Sequence, residues 1–143
     1  MAEVAGYSGT PLARKLGIKE SAVFALLDAP AAWSVPGLPD GVDVRRVTSA
    51  SRRRSAGLAG VDVALVFCRT AAAVVAVTSV VDSLPKTSAL WVAWPRKAGG
   101  HVSDVKENLL RSVLLPTGVV DVKVAALDTD WSGVKFVWRK VNR

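Results

Sequence analysis

A chain of 143 residues, 50% of them hydrophobic and 22% charged, is long enough to bury a core and too apolar to be disordered. Lys and Arg number 19 against 12 Asp and Glu, and the net charge of +7 favours anionic partners such as phosphates and nucleic acid without demanding them. A lone cysteine, Cys68, excludes an internal disulfide framework, and no uncharged apolar run reaches the roughly 18–20 residues that cross a bilayer.

The chain opens on MAEVAGYSG, with no basic segment followed by an apolar one, so no secretory signal or membrane anchor is expected and a cytoplasmic address is the default. Thr10-Pro11 has the form of a helix start, a hydroxyl followed by a proline whose missing N–H costs nothing there. A short helix over 11–16 would end at Gly17. Residues 1–20 therefore read as an N-terminal arm with a short helix, and 21–143 as a single α/β domain. The run AVFALL at 22–27 is a continuous apolar strand, and VDVRRV at 42–47 a more polar one. The Pro- and Gly-rich stretch between them reads as a loop. The sequence does not decide whether 48–60 contains a helix.

VDVALVFC at 61–68 is another apolar strand. Over 70–84, Val74, Val77, Val81 and Leu84 recur at helical spacing, although valine is a poor helix former and tertiary burial must hold such a helix. LWVAW at 90–94 is a strand. Over 104–115, Val105, Leu109 and Val113 form one row with Leu110 and Leu114 beside it, an amphipathic helix ended by Pro116 and Gly118. Strands at 119–127 and 134–141, joined through DTDWSG, read as a hairpin. Strands alternating with helices predict a Rossmann-like three-layer α/β sandwich, with a mostly parallel sheet of about six strands and a closing antiparallel hairpin. The apolar strands 22–27, 61–68 and 90–94 are expected to be central and parallel, with helices on both faces. Alternation then sends Leu90, Val92 and Trp94 to one face and Trp91 and Ala93 to the other.

Three stretches, GYSGTPLARKLGIK at 6–19, LWVAWPRKAGG at 90–100 and LPTGVVDVKVAALDTDWSGVKFVWRK at 115–140, together span nearly the whole chain. They resemble the mostly actinobacterial domain of unknown function family 3052. That resemblance implies a bacterial protein and no particular activity, cofactor or site residue. More distantly, the strand, helix, strand and closing hairpin at the end of the chain resemble class I methyltransferases. In those enzymes the first strand leads into a glycine-rich turn that admits the cofactor. Here it leads into Asp28-Ala29-Pro30-Ala31-Ala32-Trp33, with no glycine before Gly37, a departure that argues against S-adenosylmethionine.

In open α/β sheets ligands bind beyond the carboxyl ends of the strands. Asp28, Arg69, Trp94, Arg96, Lys97, Gly99, Gly100 and Ser103 fall there, and they are the candidate ligand-binding residues. Gly99-Gly100 would give a backbone able to wrap a ligand, and a helix starting at Ser103-Asp104 would offer free N–H groups to an anion. The competing reading is a strand-to-helix loop that caps itself. Arg45, Arg46, Arg52, Arg53 and Arg54 form the strongest basic run, either a solvated connection or a phosphate-contacting patch, without the interspersed aromatics that stack bases. His101 and Cys68 form no recognisable nucleophile–base pair, Cys68 reading as a buried small residue. Asp28, Asp128 and Asp130 sit where turns use carboxylates for local hydrogen bonds. No metal-ligand spacing is present, and no catalytic residue, metal or cofactor is assigned. The reading is a non-catalytic binding or interaction module. Its partner would be a phosphate-containing small molecule, nucleic acid, another protein or a second copy. The alternatives are a methyltransferase-like enzyme binding a nucleotide-type cofactor at the strand ends, and sequence-independent nucleic-acid binding through the arginines.

Overall fold

The computed structural model describes residues 10–49 and 54–142. Its frame is one sheet of six strands: β1 (Val23–Leu27), β2 (Asp43–Val47), β3 (Val63–Phe67), β4 (Ala89–Pro95), β5 (Val119–Ala126) and β6 (Trp131–Trp138). They lie in the order β2-β1-β3-β4-β6-β5. The first four are parallel, and β6 runs antiparallel between β4 and β5. The three most apolar runs are the adjacent central strands, as expected for segments buried on both faces. The chain leaves β1 outward to β2 and returns to β3 on the other side, so the order of strands reverses between β1 and β3.

The helices are α1 (Leu12–Leu16), α2 (Arg54–Leu58), α3 (Ala71–Ser83) and α4 (Glu107–Leu114). Val74, Val77, Val80 and Val81 of α3 and Leu110 and Leu114 of α4 are buried with Leu58 against Leu27, Val66, Leu90, Val92, Trp94 and Phe136. That contact, rather than intrinsic propensity, holds the valine-rich α3. The Thr70 hydroxyl caps it, accepting from the Ala73 amide at 3.2 Å. Among the described residues no helix is long and apolar enough to cross a membrane.

The opposite face departs from expectation. Helices were expected on both sides, but here the cover is α1 together with the helix-free connection from β1 to β2. Leu12, Leu16, Ile18 and Val35 are buried against Phe24, Leu65, Phe67 and Trp91, with Trp33 and Leu38 packed alongside. Trp91 is wholly buried and donates its indole N–H to the Leu16 carbonyl at 3.2 Å. The Lys15 ammonium donates to the Ala126 carbonyl at 2.9 Å, so α1 is fastened to the sheet at two points.

Two further boundaries differ, and one open point is settled. Pro11, not Thr10, holds the α1 N-cap position and supplies no side-chain cap, while Gly17 ends the helix at φ 77° as expected. The stretch 48–60 does contain a helix, α2. In the hairpin, β6 begins at Trp131 and ends at Trp138, because the Leu127 and Asp128 amides both donate to the Trp131 carbonyl and close the turn earlier than DTDWSG suggested.

Candidate functional site at the carboxyl edge of the sheet

β1 delivers Asp28 to the strand-order reversal in a left-handed conformation, φ 58°, which aspartate tolerates better than most residues. The turn thus has the backbone shape a glycine would favour without the open space a glycine would leave. Its carboxylate accepts from the amide of Ser49 at 3.0 Å and from the Ser49 hydroxyl, which binds the end of β1 to the chain leaving β2.

Arg69, just past β3, crosses this end of the sheet. Its guanidinium donates to the Asp28 carbonyl at 3.5 Å and lies 5.2 Å from the centre of the Trp131 ring. Beneath it Phe67 makes edge-to-face contacts with Trp33 at 4.9 Å and Trp131 at 4.8 Å, a favoured aromatic geometry. The Trp33 indole N–H donates to the Asp128 carboxylate at 2.9 Å, whose other oxygen accepts from the amides of Asp130 and Trp131. Asp28 and Arg69 therefore come together as expected, but in contact with each other and with the protein's own aromatic side chains.

The loop after β4 is fixed on both sides. Toward the hairpin turn, the Arg96 amide donates to the Asp130 carbonyl at 2.7 Å, and its guanidinium to the Asp128 carbonyl at 3.0 Å. His101 Nε2 lies 2.9 Å from Asp130 Oδ1. Gly99 is required by close approach, since a Cβ there would sit 2.4 Å from the Thr129 carbonyl oxygen. Gly100, at φ 86°, ends the 3₁₀ turn Lys97–Gly99. Gly99 thus serves loop packing, and Gly100 the left-handed turn that ends it.

On the other side the expected helix start at Ser103-Asp104 is overturned. α4 begins at Glu107, because Ser103 and Asp104 are engaged elsewhere. The Ser103 hydroxyl donates to the Arg69 carbonyl at 3.1 Å, and the Asp104 carboxylate accepts from the Ala71 amide at 2.9 Å. Asp104 therefore supports the start of α3, not its own helix.

Two open grooves flank this loop. The larger, about 660 Å³, lies past β4 and is lined by Trp94, Pro95, Lys97, His101, Val102, Ser103, Val105, Lys106, Glu107 and Asn108. The smaller, about 370 Å³, lies between Arg69, Pro95, His101, Val102, Asp130 and Trp131. Pro95, His101 and Val102 line both, and neither lining includes Asp28 or the turn after it. Of the candidate ligand residues, Trp94, Lys97 and Ser103 line the larger groove and Arg69 the smaller. Lys106, Val105 and the His101–Asp130 pair were missed. Their signal was a loop length that brings 101–106 back over the strand end.

The basic run is divided. Arg45 pairs with Asp43 at 3.1 Å and donates to the Ala59 carbonyl at 2.8 Å. Arg46 donates to the Trp33 and Pro30 carbonyls and so holds the β1–β2 connection. Arg54 opens α2, and Arg52 and Arg53 lie outside the described residues.

Cys68 is buried, and burial, with the negative charge of Asp28 adding to it, pushes its thiol up to about 12, so the nucleophilic thiolate is suppressed. Among the described residues no group of His, Cys, Asp and Glu is arranged to hold a metal ion.

No protein-family model and no curated protein sequence matches the chain. Solved structures do. The fold is similar to a SAM dependent methyltransferase from Aquifex aeolicus, with TM-score 0.57 and 12% identity over 86% of this chain and 85% of that one. It is also similar to a pericyclic reaction enzyme (TM-score 0.51, 12% identity) and to a LepI variant in complex with SAH and a substrate analogue (TM-score 0.52, 11% identity). In both cases 97% of this chain is covered, but it spans 50% of the other. At such identities the likeness is one of fold, and the fold is methyltransferase-like.

Proposed function

We propose that this protein is a non-catalytic binding module that takes a small molecule in the groove beyond β4. The observation that carries the reading is Arg69. It bridges Asp28 and Trp131 over the end of β3, while the groove past β4 stays open beside it. A volume of about 660 Å³ lies within the range of small-molecule sites.

The methyltransferase-like fold supports a second reading, an enzyme that binds S-adenosylmethionine where the strand order reverses. The residues there do not fit that cofactor. The turn after β1 is bound through Asp28 to Ser49, carries alanines and a proline instead of glycines, and is covered by Arg69.

Amide NMR separates the two. A panel of small metabolites is titrated in parallel with S-adenosylmethionine. Binders from the panel are expected to shift residues 94–108, and S-adenosylmethionine to leave 28–33 unmoved. The reading is overturned when S-adenosylmethionine shifts 28–33 with micromolar affinity and no panel member moves the groove.

A further inference from the structure

The groove beyond β4 has an imbalance of charge. Its one lining carboxylate, Glu107, is already paired with Arg111 at 3.1 Å. Neighbouring carboxylates are engaged as well, Asp130 with His101 and Asp104 with the Ala71 amide. Lys97 and Lys106 are exposed on the same lining, and among the described residues neither lies within ion-pair distance of an acidic group. The start of α4 adds to this, since Lys106 at its N-cap supplies no side-chain hydrogen bond. The same lining includes the apolar Trp94, Pro95, Val102 and Val105.

Resting on the reading of this groove as a ligand site, we infer that its ligand is a small molecule with an apolar or aromatic body and a phosphate monoester, the phosphate held by Lys97 and Lys106. A phosphate monoester carries about −1.5 to −2 at neutral pH, which matches two lysines, whereas a carboxylate would leave one uncompensated. Lysine meets phosphate as a point charge, whereas the arginine fork grips carboxylate and phosphate alike. Among the described residues no arginine lines the groove, and the guanidinium of Arg96, between Pro95 and Lys97, is turned to the Asp128 carbonyl. The apolar lining accounts for the body of the ligand.

The probes are inorganic phosphate, adenosine monophosphate and adenosine, added to the parent and to a Lys97→Gln/Lys106→Gln double variant, with amide NMR and calorimetry as readouts. Both lysines are exposed, so the variant is expected to melt like the parent. Phosphate and adenosine monophosphate should shift amides over 96–107. Adenosine monophosphate should bind at least about tenfold more tightly than adenosine, and the double variant should lose that advantage, as expected when charge-assisted hydrogen bonds are removed. If adenosine binds the groove as tightly and the variant is unchanged, the phosphate inference fails while the groove reading stands. If inorganic phosphate and adenosine monophosphate leave 96–107 unshifted, the inference fails outright, and the metabolite panel decides separately whether the groove binds anything.

Discussion

Trp91 is held at both ends of its chemistry: the ring is wholly buried on the α1 face, and the indole N–H donates to the Leu16 carbonyl. Trp91→Ala would lose the transfer energy of a large ring, open a cavity and leave a buried carbonyl without its donor. Thermal and denaturant melts are expected to show a loss of about 3–5 kcal/mol, against under about 0.5 kcal/mol for Lys97→Ala on the exposed loop. A Trp91→Ala variant as stable as the parent would contradict the placing of β4 at the centre. Cys68 gives a second test at this scale. Its thiol is buried and pushed up to about 12, so it should not react with a disulfide reagent at about pH 8 in the native state and should react at once in denaturant. Fast labelling of the native protein would show that the end of β3 is open. Both residues were legible in the sequence, since an apolar run alternating inside a βαβ pattern buries whatever it carries. Trp33 was not. Its partner Asp128 is 95 residues away, and no local spacing announces such a contact.

At the scale of elements, continuous apolar runs located the central strands, because both their faces are buried, and helical spacing located α3. It misjudged where α4 begins, because Ser103-Asp104 has cap chemistry that the fold spends on Arg69 and α3. A cap signal specifies a hydrogen bond, and tertiary contact decides which helix receives it. α4 is instead joined to the hairpin through Arg111, which donates to Asp121 at 2.8 Å and to Glu107 at 3.1 Å. The hydrogen bond from Arg111 holds the Asp121 carboxyl below its usual 3.8, partial burial opposing it. A carboxyl depressed in the folded state stabilises it at pH values above the unfolded pKa, and that contribution is lost as pH falls through the folded value. Melts of the parent and Asp121→Asn should therefore differ by a constant amount from neutral pH to about pH 5, and the gap should narrow below about pH 4. A gap that stays constant to about pH 3 would show that the ion pair does not join α4 to β5 in solution.

For the whole molecule, the net charge of +7 is legible from composition alone, and what it does depends on how the cations are already employed. Arg45 and Arg46 stand in the run that reads as a phosphate-contacting patch, yet both donate to carbonyls of neighbouring loops. Replacing Arg46 is expected to loosen the β1–β2 connection, and replacing Arg45 the contact of β2 with the end of α2, as well as remove charge, so a loss of binding in those variants would not by itself identify a nucleic-acid surface. The test belongs to Arg52, Arg53 and Arg54. Attraction through a basic run without interleaved aromatics is electrostatic and blind to sequence, and its strength falls with salt as condensed counterions are released. Neutralising the three to glutamine should weaken whatever nucleic-acid binding the protein has, on duplex and single strand alike. The slope of log affinity against log salt should flatten by about 0.9 for each duplex phosphate contact removed. Binding to unrelated oligonucleotides across a salt series measures both effects. A loss confined to one sequence, with the slope unchanged, would mean that the arginines read bases, and the view of this surface as a general positive field would have to be given up.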